Sequence, residues 1–193
     1  PEDLHFEAKD TPRVFTHFRK AIEKSVKIRP LVAPEKMPKT NLLENTPNIP
    51  TLDFLGYQTP HQVPESAFPF KGGETQGNLR IESYFFESKA LGVYKKTRNG
   101  LIGVNYSSKF SAWLANGNLS ARQIKSELEL FESTIIKNES TYWLVFELLW
   151  RDYFKYVSLK YGEKIFKQFG IKQCKIQSND GENELFNDWK NAN

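Results

Sequence analysis

The residues best suited to chemistry lie in one apolar stretch, STYWLVFELLWRDYFKYVSLKYG, which runs from Ser140 to Gly162. Glu147 and Arg151 are four residues apart, so on a helix they share a face with the indole of Trp150. Charged side chains are seldom buried without a partner. Two interpretations remain open: an intrahelical ion pair at the edge of a core, which the residue types alone favour, or one wall of a pocket for a polar, aromatic ligand.

A second candidate site is the loop Ser107-Ser108-Lys109-Phe110-Ser111, which follows a glycine-rich stretch. Successive N–H groups, three hydroxyl groups and one cation just before a helical turn could hold a diphosphate. Serine-rich loops also commonly cap helices, so the pattern by itself is a weak indicator of phosphate binding.

The third candidate is a basic segment from Lys89 to Ser126, which contains seven basic residues and no acidic one. Such a run is often only a solvated face. Here it is interleaved with Tyr94, Tyr106, Phe110 and Trp113, a composition suited to phosphate contacts beside stacking surfaces. The whole basic excess of the chain, a net charge of +4, lies in this segment.

Helical periodicity dominates the rest of the chain, and no alternating strand pattern of useful length occurs, so we predict an all-α class. The central stretch, capped by Ser140 and ended by Gly162, is expected to be mostly buried because large apolar groups surround it. The other predicted helices are Pro12 to about Ser25 with Thr11 as cap, Glu74 to Glu87, Ser111 to Asn116, a helix opened by a Ser120–Gln123 capping box, and a last one near Leu185 to Trp189. A short segment is expected around Phe166.

Composition excludes several classes of protein. One cysteine, Cys174, rules out an internal disulfide framework, and no apolar run approaches the length of a membrane span. The three histidines are scattered, so no metal site is predicted, and no Walker loop or GxGxxG motif occurs. We expect a soluble, intracellular, monomeric protein. Because the chain starts at Pro1 and stops in a polar run, we also expect it to be part of a longer one.

Three stretches resemble the flavin domain of the cryptochrome/photolyase family, most closely the DASH cryptochromes. They are GGET at Gly72 to Thr75, YKKTRNGLIGVNYSSKFSAWLANGNLS at Tyr94 to Ser120 and STYWLVFELLWRDYFKY at Ser140 to Tyr156. The resemblance implies three regions: residues 1–27 as the last helix of an N-terminal α/β antenna domain, residues 28–70 as the interdomain connector, and residues 71–193 as the N-terminal half of the helical FAD-binding domain. Eight of the ten prolines lie between Pro30 and Pro69, which fits a connector.

The same resemblance implies roles for individual residues. Glu147 and Trp150 match the acid and the indole that face the pyrimidine dimer, and Arg98 matches a basic residue at the DNA mouth. The positions implied for the FAD site are Tyr94, Ser107, Ser108, Lys109, Phe110, Ser111, Glu147 and Arg151. A folate-type antenna chromophore would belong to the domain that precedes this segment.

The activity implied is light-driven repair of cyclobutane pyrimidine dimers by reduced FAD, with single-stranded or damaged DNA as the partner. Two alternatives stay open on sequence grounds: a blue-light photoreceptor of the same fold that signals without repair, and a cofactor-free helical module that binds nucleic acid. The chain also departs from the family pattern. Ala112 stands where proline is frequent, Asn116 replaces a larger residue, and no tryptophan occurs between Trp150 and Trp189, which casts doubt on the usual electron-transfer chain.

Overall fold

The structure, a computed structural model, describes residues 4–32, 35, 38, 40, 48–58, 63, 65–174 and 184–192. None of these residues lies in a β-strand, which confirms the all-α class. The helices are α1 (Phe15–Ser25), α2 (Glu74–Glu82), α3 (Tyr94–Thr97), α4 (Ser111–Ala115), α5 (Ala121–Thr134), α6 (Glu139–Tyr161) and α7 (Glu184–Asn191). A search of this part of the chain finds no helix with the length and hydrophobicity that a membrane span requires.

The chain divides into two compact units. One consists of Lys27–Leu149, and the other of Pro1–Val26 together with Trp150–Asn193. The break after Val26 lies at the end of α1, where the connector is predicted to begin. Between Val26 and Gly73, the described residues form no α-helix. The assignment of residues 1–27, 28–70 and 71–193 to parts of a larger protein stays a prediction.

A buried aromatic and aliphatic cluster forms the core of the larger unit. Its members come from α2, from the π-helical turn Ser83–Glu87 that extends α2, from α3 to α6 and from the segments that connect these helices: Ile81, Tyr84, Phe85, Leu91, Tyr94, Phe110, Trp113, Leu119, Ile124, Leu128, Phe131 and Leu144. Gly77 lies on the same face of α2, where an added Cβ would come within 2.8 Å of Cγ of Leu119. A larger side chain at this position would push α2 away from the core.

The helix predicted from Ser120 onwards is confirmed. Ser120 Oγ accepts a hydrogen bond from the Gln123 N–H at 3.0 Å, and Ile124, Leu128 and Phe131 form the buried stripe. The reciprocal half of the capping box is missing, because the Gln123 side chain donates to Oδ1 of Asn78 instead. The Gln123 side-chain amide therefore contacts α2, whereas in a capping box it would bind the backbone N–H of the cap residue.

The central helix begins earlier than predicted. Asn138 is its cap: Oδ1 accepts hydrogen bonds from the N–H groups of Ser140 and Thr141 at 2.8 and 3.2 Å. The predicted cap, Ser140, was wrong, because its hydroxyl accepts the N–H of Lys95 from α3. Gly162, at φ 55°, follows the last helical residue as predicted.

The expectation that α6 is mostly buried was also wrong. Only Ser140, Thr141, Leu144 and Tyr153 are fully buried, while most of the other apolar side chains are half-buried. Tyr142, Phe154 and Leu159 are exposed, with Phe154 at 60%. Periodicity reports which side chains are apolar, and it does not report how many of them find neighbours within the chain.

The smaller unit pairs α1 with the C-terminal half of α6. Phe15, Phe18 and Ile22 form the buried stripe of α1, and Phe15 and Phe18 pack against the ring of Tyr153. The predicted start of α1 was wrong, since Val14 occupies the N-cap position without a side-chain hydrogen bond. The Thr11 hydroxyl instead donates to the carbonyl of Ala8 at 2.7 Å, which closes a preceding 3₁₀ turn.

Candidate functional site

The Glu147 carboxylate is held in place by one ion pair and one hydrogen bond from different parts of the larger unit. Oε1 forms an ion pair with Nη1 of Arg98 at 2.8 Å, and it accepts a hydrogen bond from the indole N–H of Trp143, one helical turn earlier on α6, at 3.0 Å. Oε2 has no partner among the described residues, and the side chain retains 29% of its exposure. One oxygen is thus fixed, while the other makes no polar contact with the described residues.

Trp143 organises the cations around this carboxylate. The ammonium of Lys95 lies 4.7 Å, and the guanidinium of Arg98 5.6 Å, from a centroid of its ring. Lys95 also pairs with Glu139 at 3.0 Å. The short helix α3, which contains Lys95 and is followed directly by Arg98, is therefore attached to the first turns of α6 by charge, by cation–π contact and by the Lys95–Ser140 hydrogen bond.

Tyr94, the first residue of α3, is buried close to the same carboxylate. Burial raises the pKa of its phenol to about 12, the nearby Glu147 carboxylate adds to the increase, and Arg98 opposes it. The hydroxyl makes no hydrogen bond to any other described residue, although the residue is only 7% exposed. The structure therefore brings together Tyr94, Arg98 and Glu147, and the phenol retains its proton at neutral pH.

The predicted intrahelical ion pair between Glu147 and Arg151 was wrong. Glu147 pairs with Arg98, and Arg151 pairs with its neighbour Asp152 at 3.1 Å. The i, i+4 spacing suggested Arg151 as the ion-pair partner of Glu147, but the partner is Arg98, which directly follows α3. Of the two interpretations left open, the intrahelical pair is excluded.

The loop from Ser107 to Ser111 retains unsatisfied polar groups. The hydroxyls of Ser107, Ser108 and Ser111 have no hydrogen-bond partner in the described part of the chain, and neither do the N–H groups of residues 108 to 111. Ser108 is buried, whereas Phe110 is a core residue that packs against Phe85. This donor set, several amides with several hydroxyls, fits a diphosphate.

Lys109 does not extend from this loop towards solvent. Its ammonium contacts the hydroxyl of Tyr106 and lies 3.6 Å from the centroid of that ring. The residue has a φ of 64°, a left-handed conformation that costs a non-glycine residue about 1 kcal/mol. The hydrogen bond to Tyr106 uses one of the three N–H donors of the ammonium.

Arg80 is the functional residue that sequence reasoning missed. It is buried on α2, and its guanidinium donates to the carbonyls of Val104, Ser107 and Ser108 and to Oδ1 of Asn105. The available signal was its spacing: Arg80 stands three residues after Gly77 and four before Tyr84, which places it on the buried face of α2.

The basic segment is partly neutralised by acids from outside it. Lys95, Arg98 and Lys125 pair with Glu139, Glu147 and Glu129, respectively. Lys89 and Lys96 are exposed and have no acidic partner among the described residues. The segment is therefore neither a fully free cationic track nor a fully paired surface.

Trp150 and Arg151 belong to the smaller unit. The indole of Trp150 stacks on Phe15 with ring centroids 3.6 Å apart and planes at 12°, and it also lies against Phe154. One face of the indole predicted to stack on extruded bases is thus covered by Phe15. Arg151 is exposed beside Asp152. Their predicted roles in lesion and cofactor binding stay predictions.

Comparison with known proteins found a consistent set of relatives. The chain is 47% identical over 177 residues to a cryptochrome DASH of Gloeobacter violaceus, covering 91% of this chain and 35% of that protein. It is 46% identical over 182 residues to a cryptochrome DASH of Danio rerio, covering 93% and 34%. The chain thus spans about a third of the length of these curated relatives. No family model matches it.

A solved structure gives the same result. The fold is similar to the crystal structure of the Synechocystis sp. PCC6803 cryptochrome, with a TM-score of 0.82 and 43% sequence identity over 98% of this chain and 39% of that one. Both sequence and fold therefore align along nearly the whole chain, including the three stretches on which the resemblance was based.

Proposed function

Because the chain belongs to the cryptochrome DASH family over the segment that it contains, we propose that it forms part of a FAD-dependent, light-driven DNA photolyase that splits cyclobutane pyrimidine dimers in single-stranded DNA. The observation that supports this most directly is the Glu147 carboxylate, with Oε1 held by Arg98 and Trp143 and Oε2 left for a ligand. A carboxyl fixed on one side has little orientational entropy left to lose when it binds a base.

In this proposal the loop residues Ser107, Ser108 and Ser111 hold the cofactor's diphosphate through their hydroxyls and amides, and Lys109 and Phe110 contribute their N–H groups. Tyr94 contributes a protonated phenol next to the cofactor, and Arg151 a cation. Bound reduced FAD would supply the photoexcited electron. The protein's own residues bind and orient both partners and exclude water between them.

Glu147 has the central role towards the lesion. We infer that its second oxygen, Oε2, takes up a proton from solvent in the complex and donates it in a hydrogen bond to a base of the extruded dimer, which stabilises the negative charge that the dimer carries while its ring opens. Trp150 is proposed to stack on the extruded bases, which requires Phe15 to leave the indole face that it covers or the bases to use the opposite face. Exposed Lys96 and the basic residue Arg98 would contact the DNA backbone.

The test compares Glu147→Gln with Glu139→Gln in the full-length, flavin-loaded protein. Both changes remove one carboxylate from α6, but Glu139 is an exposed partner of Lys95 only. We expect Glu147→Gln to lower the quantum yield of dimer splitting by about two orders of magnitude, the range of one lost acid–base group, while affinity for a dimer-containing oligonucleotide falls less. Glu139→Gln should match the wild type in both.

Two outcomes would contradict the proposal. If the wild type splits no dimer under blue light beyond its dark control, the protein is not a photolyase and the photoreceptor alternative gains support. If Glu147→Gln repairs as well as Glu139→Gln, the protein is a photolyase whose acid lies elsewhere. Flavin absorbance per protein is the folding control for each variant.

A further inference from the structure

We propose that Arg80 positions the diphosphate-binding loop, residues 107 to 111. Its guanidinium binds the carbonyl groups of this loop on one side, so that the amide N–H groups of the loop face the ligand on the other. This inference rests on the proposed FAD site. Nε donates to the Ser108 carbonyl at 3.1 Å, and Nη2 to the carbonyls of Val104 at 2.9 Å and Ser107 at 3.1 Å. Nη1 donates to Oδ1 of Asn105 at 2.9 Å.

The guanidinium is fixed without a counterion. It lies over the rings of Phe70 and Tyr84, each with its centroid 4.7 Å from Cζ. No carboxylate of the described residues lies within 4.0 Å of it, although Arg80 is only 3% exposed. Buried cations usually have an acidic partner. Here the carbonyl groups of one loop, instead of a carboxylate, stabilise the charge of the guanidinium. The buried position of Arg80 and the conformation of the loop therefore stabilise each other.

The hydrogen bonds from Arg80 to the loop carbonyls also determine where the loop N–H groups point, because the C=O and N–H of one peptide have a fixed relative orientation. The peptide bonds of the described residues, those of this loop included, are trans, and in a trans peptide the C=O and the following N–H point in opposite directions. Because the carbonyls of Ser107 and Ser108 point at Arg80, the N–H groups of Ser108 and Lys109 point away from it. Neither N–H donates to another described residue.

The backbone beyond this point continues the pattern. Lys109 has a φ of 64°, and Phe110 follows in the right-handed region at φ −69°. Successive residues of opposite hand make their N–H groups converge on one concave point, an arrangement that binds anions. The charge of Arg80 lies behind this concavity and is not cancelled by a nearby carboxylate, so it adds to the attraction for a diphosphate.

The experiment measures affinities of the full-length apoprotein for FAD and for riboflavin, which has no phosphate. We expect Arg80→Met to reduce the preference for FAD over riboflavin at least tenfold, with riboflavin affinity changed less than threefold. Arg80→Lys should show a preference for FAD between those of Arg80→Met and the wild type. Lysine keeps the positive charge, but its ammonium cannot reach the four acceptors that the planar guanidinium binds. Leu128→Ala, a core change of similar cost, should keep the wild-type ratio.

A milder variant covers the case in which Arg80→Met does not fold. Asn105→Ala removes only the exposed acceptor of Nη1, and we expect it to reduce the preference for FAD over riboflavin two- to threefold. An unchanged FAD-to-riboflavin ratio in the folded Arg80 and Asn105 variants overturns the inference. A wild type without preference for FAD overturns the proposed cofactor site instead.

Discussion

Arg98 and Glu147 form an ion pair in which Nη1 and Oε1 are 2.8 Å apart, and this contact links α3 to the middle of α6. The two side chains keep 30% and 29% of their exposure, so water screens the pair only in part. The Trp143 indole donates to the same oxygen. The Glu147 carboxylate therefore both links α3 to α6 and is the group that we propose binds the lesion.

We predict that a double-mutant cycle with Arg98→Met and Glu147→Gln will give a coupling energy of about 1 kcal/mol in the free energy of unfolding, the upper end for pairs that water still reaches. The i, i+4 pair Lys125 and Glu129 on α5, whose carboxylate keeps 64% of its exposure, is the control, with an expected coupling of about 0.3 to 0.5 kcal/mol. Urea unfolding at low and high salt gives both values. Equal couplings for the two pairs would show that Arg98 contributes nothing special to the orientation of Glu147.

Lys96 and Arg98 should both contribute to DNA binding, but only the replacement of Arg98 should also disturb Glu147. Arg98→Ala should weaken binding of all single-stranded sequences about equally and reduce the slope of log affinity against log salt by roughly one ion per lost phosphate contact. Lys96→Ala should do the same without disturbing Glu147, since Lys96 is exposed and has no acidic partner among the described residues.

The measurement is the affinity for mixed-sequence oligonucleotides at four or more salt concentrations. If the slope changes for Lys96→Ala and not for Arg98→Ala, the ion pair with Glu147 persists in the complex and Arg98 makes no phosphate contact. If it changes for neither, DNA does not bind along α3.

Stability should fall at alkaline pH because of Tyr94. Its pKa is raised by burial, and further by Glu147, to about 12, whereas an unfolded tyrosine titrates near 10. The unfolded state therefore releases its proton first as pH rises. The contribution of this group is fully present below about pH 10, and roughly 2 to 3 kcal/mol of it is lost by pH 12.

The test is the difference in unfolding free energy between wild type and Tyr94→Phe from pH 8 to 12, which cancels the titration of all other groups. The wild type should lose stability relative to the variant above pH 10. A difference that stays constant over this range would show that the phenol is not desolvated in the folded protein.

The two helix caps should differ in strength. Ser120→Ala removes one cap hydrogen bond and should cost about 1 kcal/mol. Asn138→Ala should cost about 2 kcal/mol, because Oδ1 accepts from both Ser140 and Thr141 and Nδ2 also donates to the carbonyl of Gly92. Ser126→Ala, at an exposed position within α5, is the control and should be neutral or slightly stabilising. A larger loss for Ser120→Ala than for Asn138→Ala would contradict this order.

The sequence by itself determined the local structure. Periodicity predicted α5 and its stripe of Ile124, Leu128 and Phe131, and Ser120 marked its start correctly, because a cap and an amphipathic face depend on neighbours a few residues away. The resemblance on three stretches identified the family, because those stretches combine many residues in a fixed order. Where two local acceptors compete, as Asn138 and Ser140 do at the start of α6, sequence could not decide, because a donor from α3 takes one of them.

Tertiary structure alone decided which side chains meet. Spacing favoured Arg151 as the partner of Glu147, but Arg98 is the partner, because an ion pair forms with whichever cation packing brings within reach and α3 brings Arg98. The spacing of Arg80 from Gly77 and Tyr84 indicates the buried face of α2, but the sequence does not show what its guanidinium contacts. Its proposed role depends on the fold, which places the carbonyls of residues 104, 107 and 108 around the guanidinium, since hydrogen bonds between distant segments depend on how the helices pack.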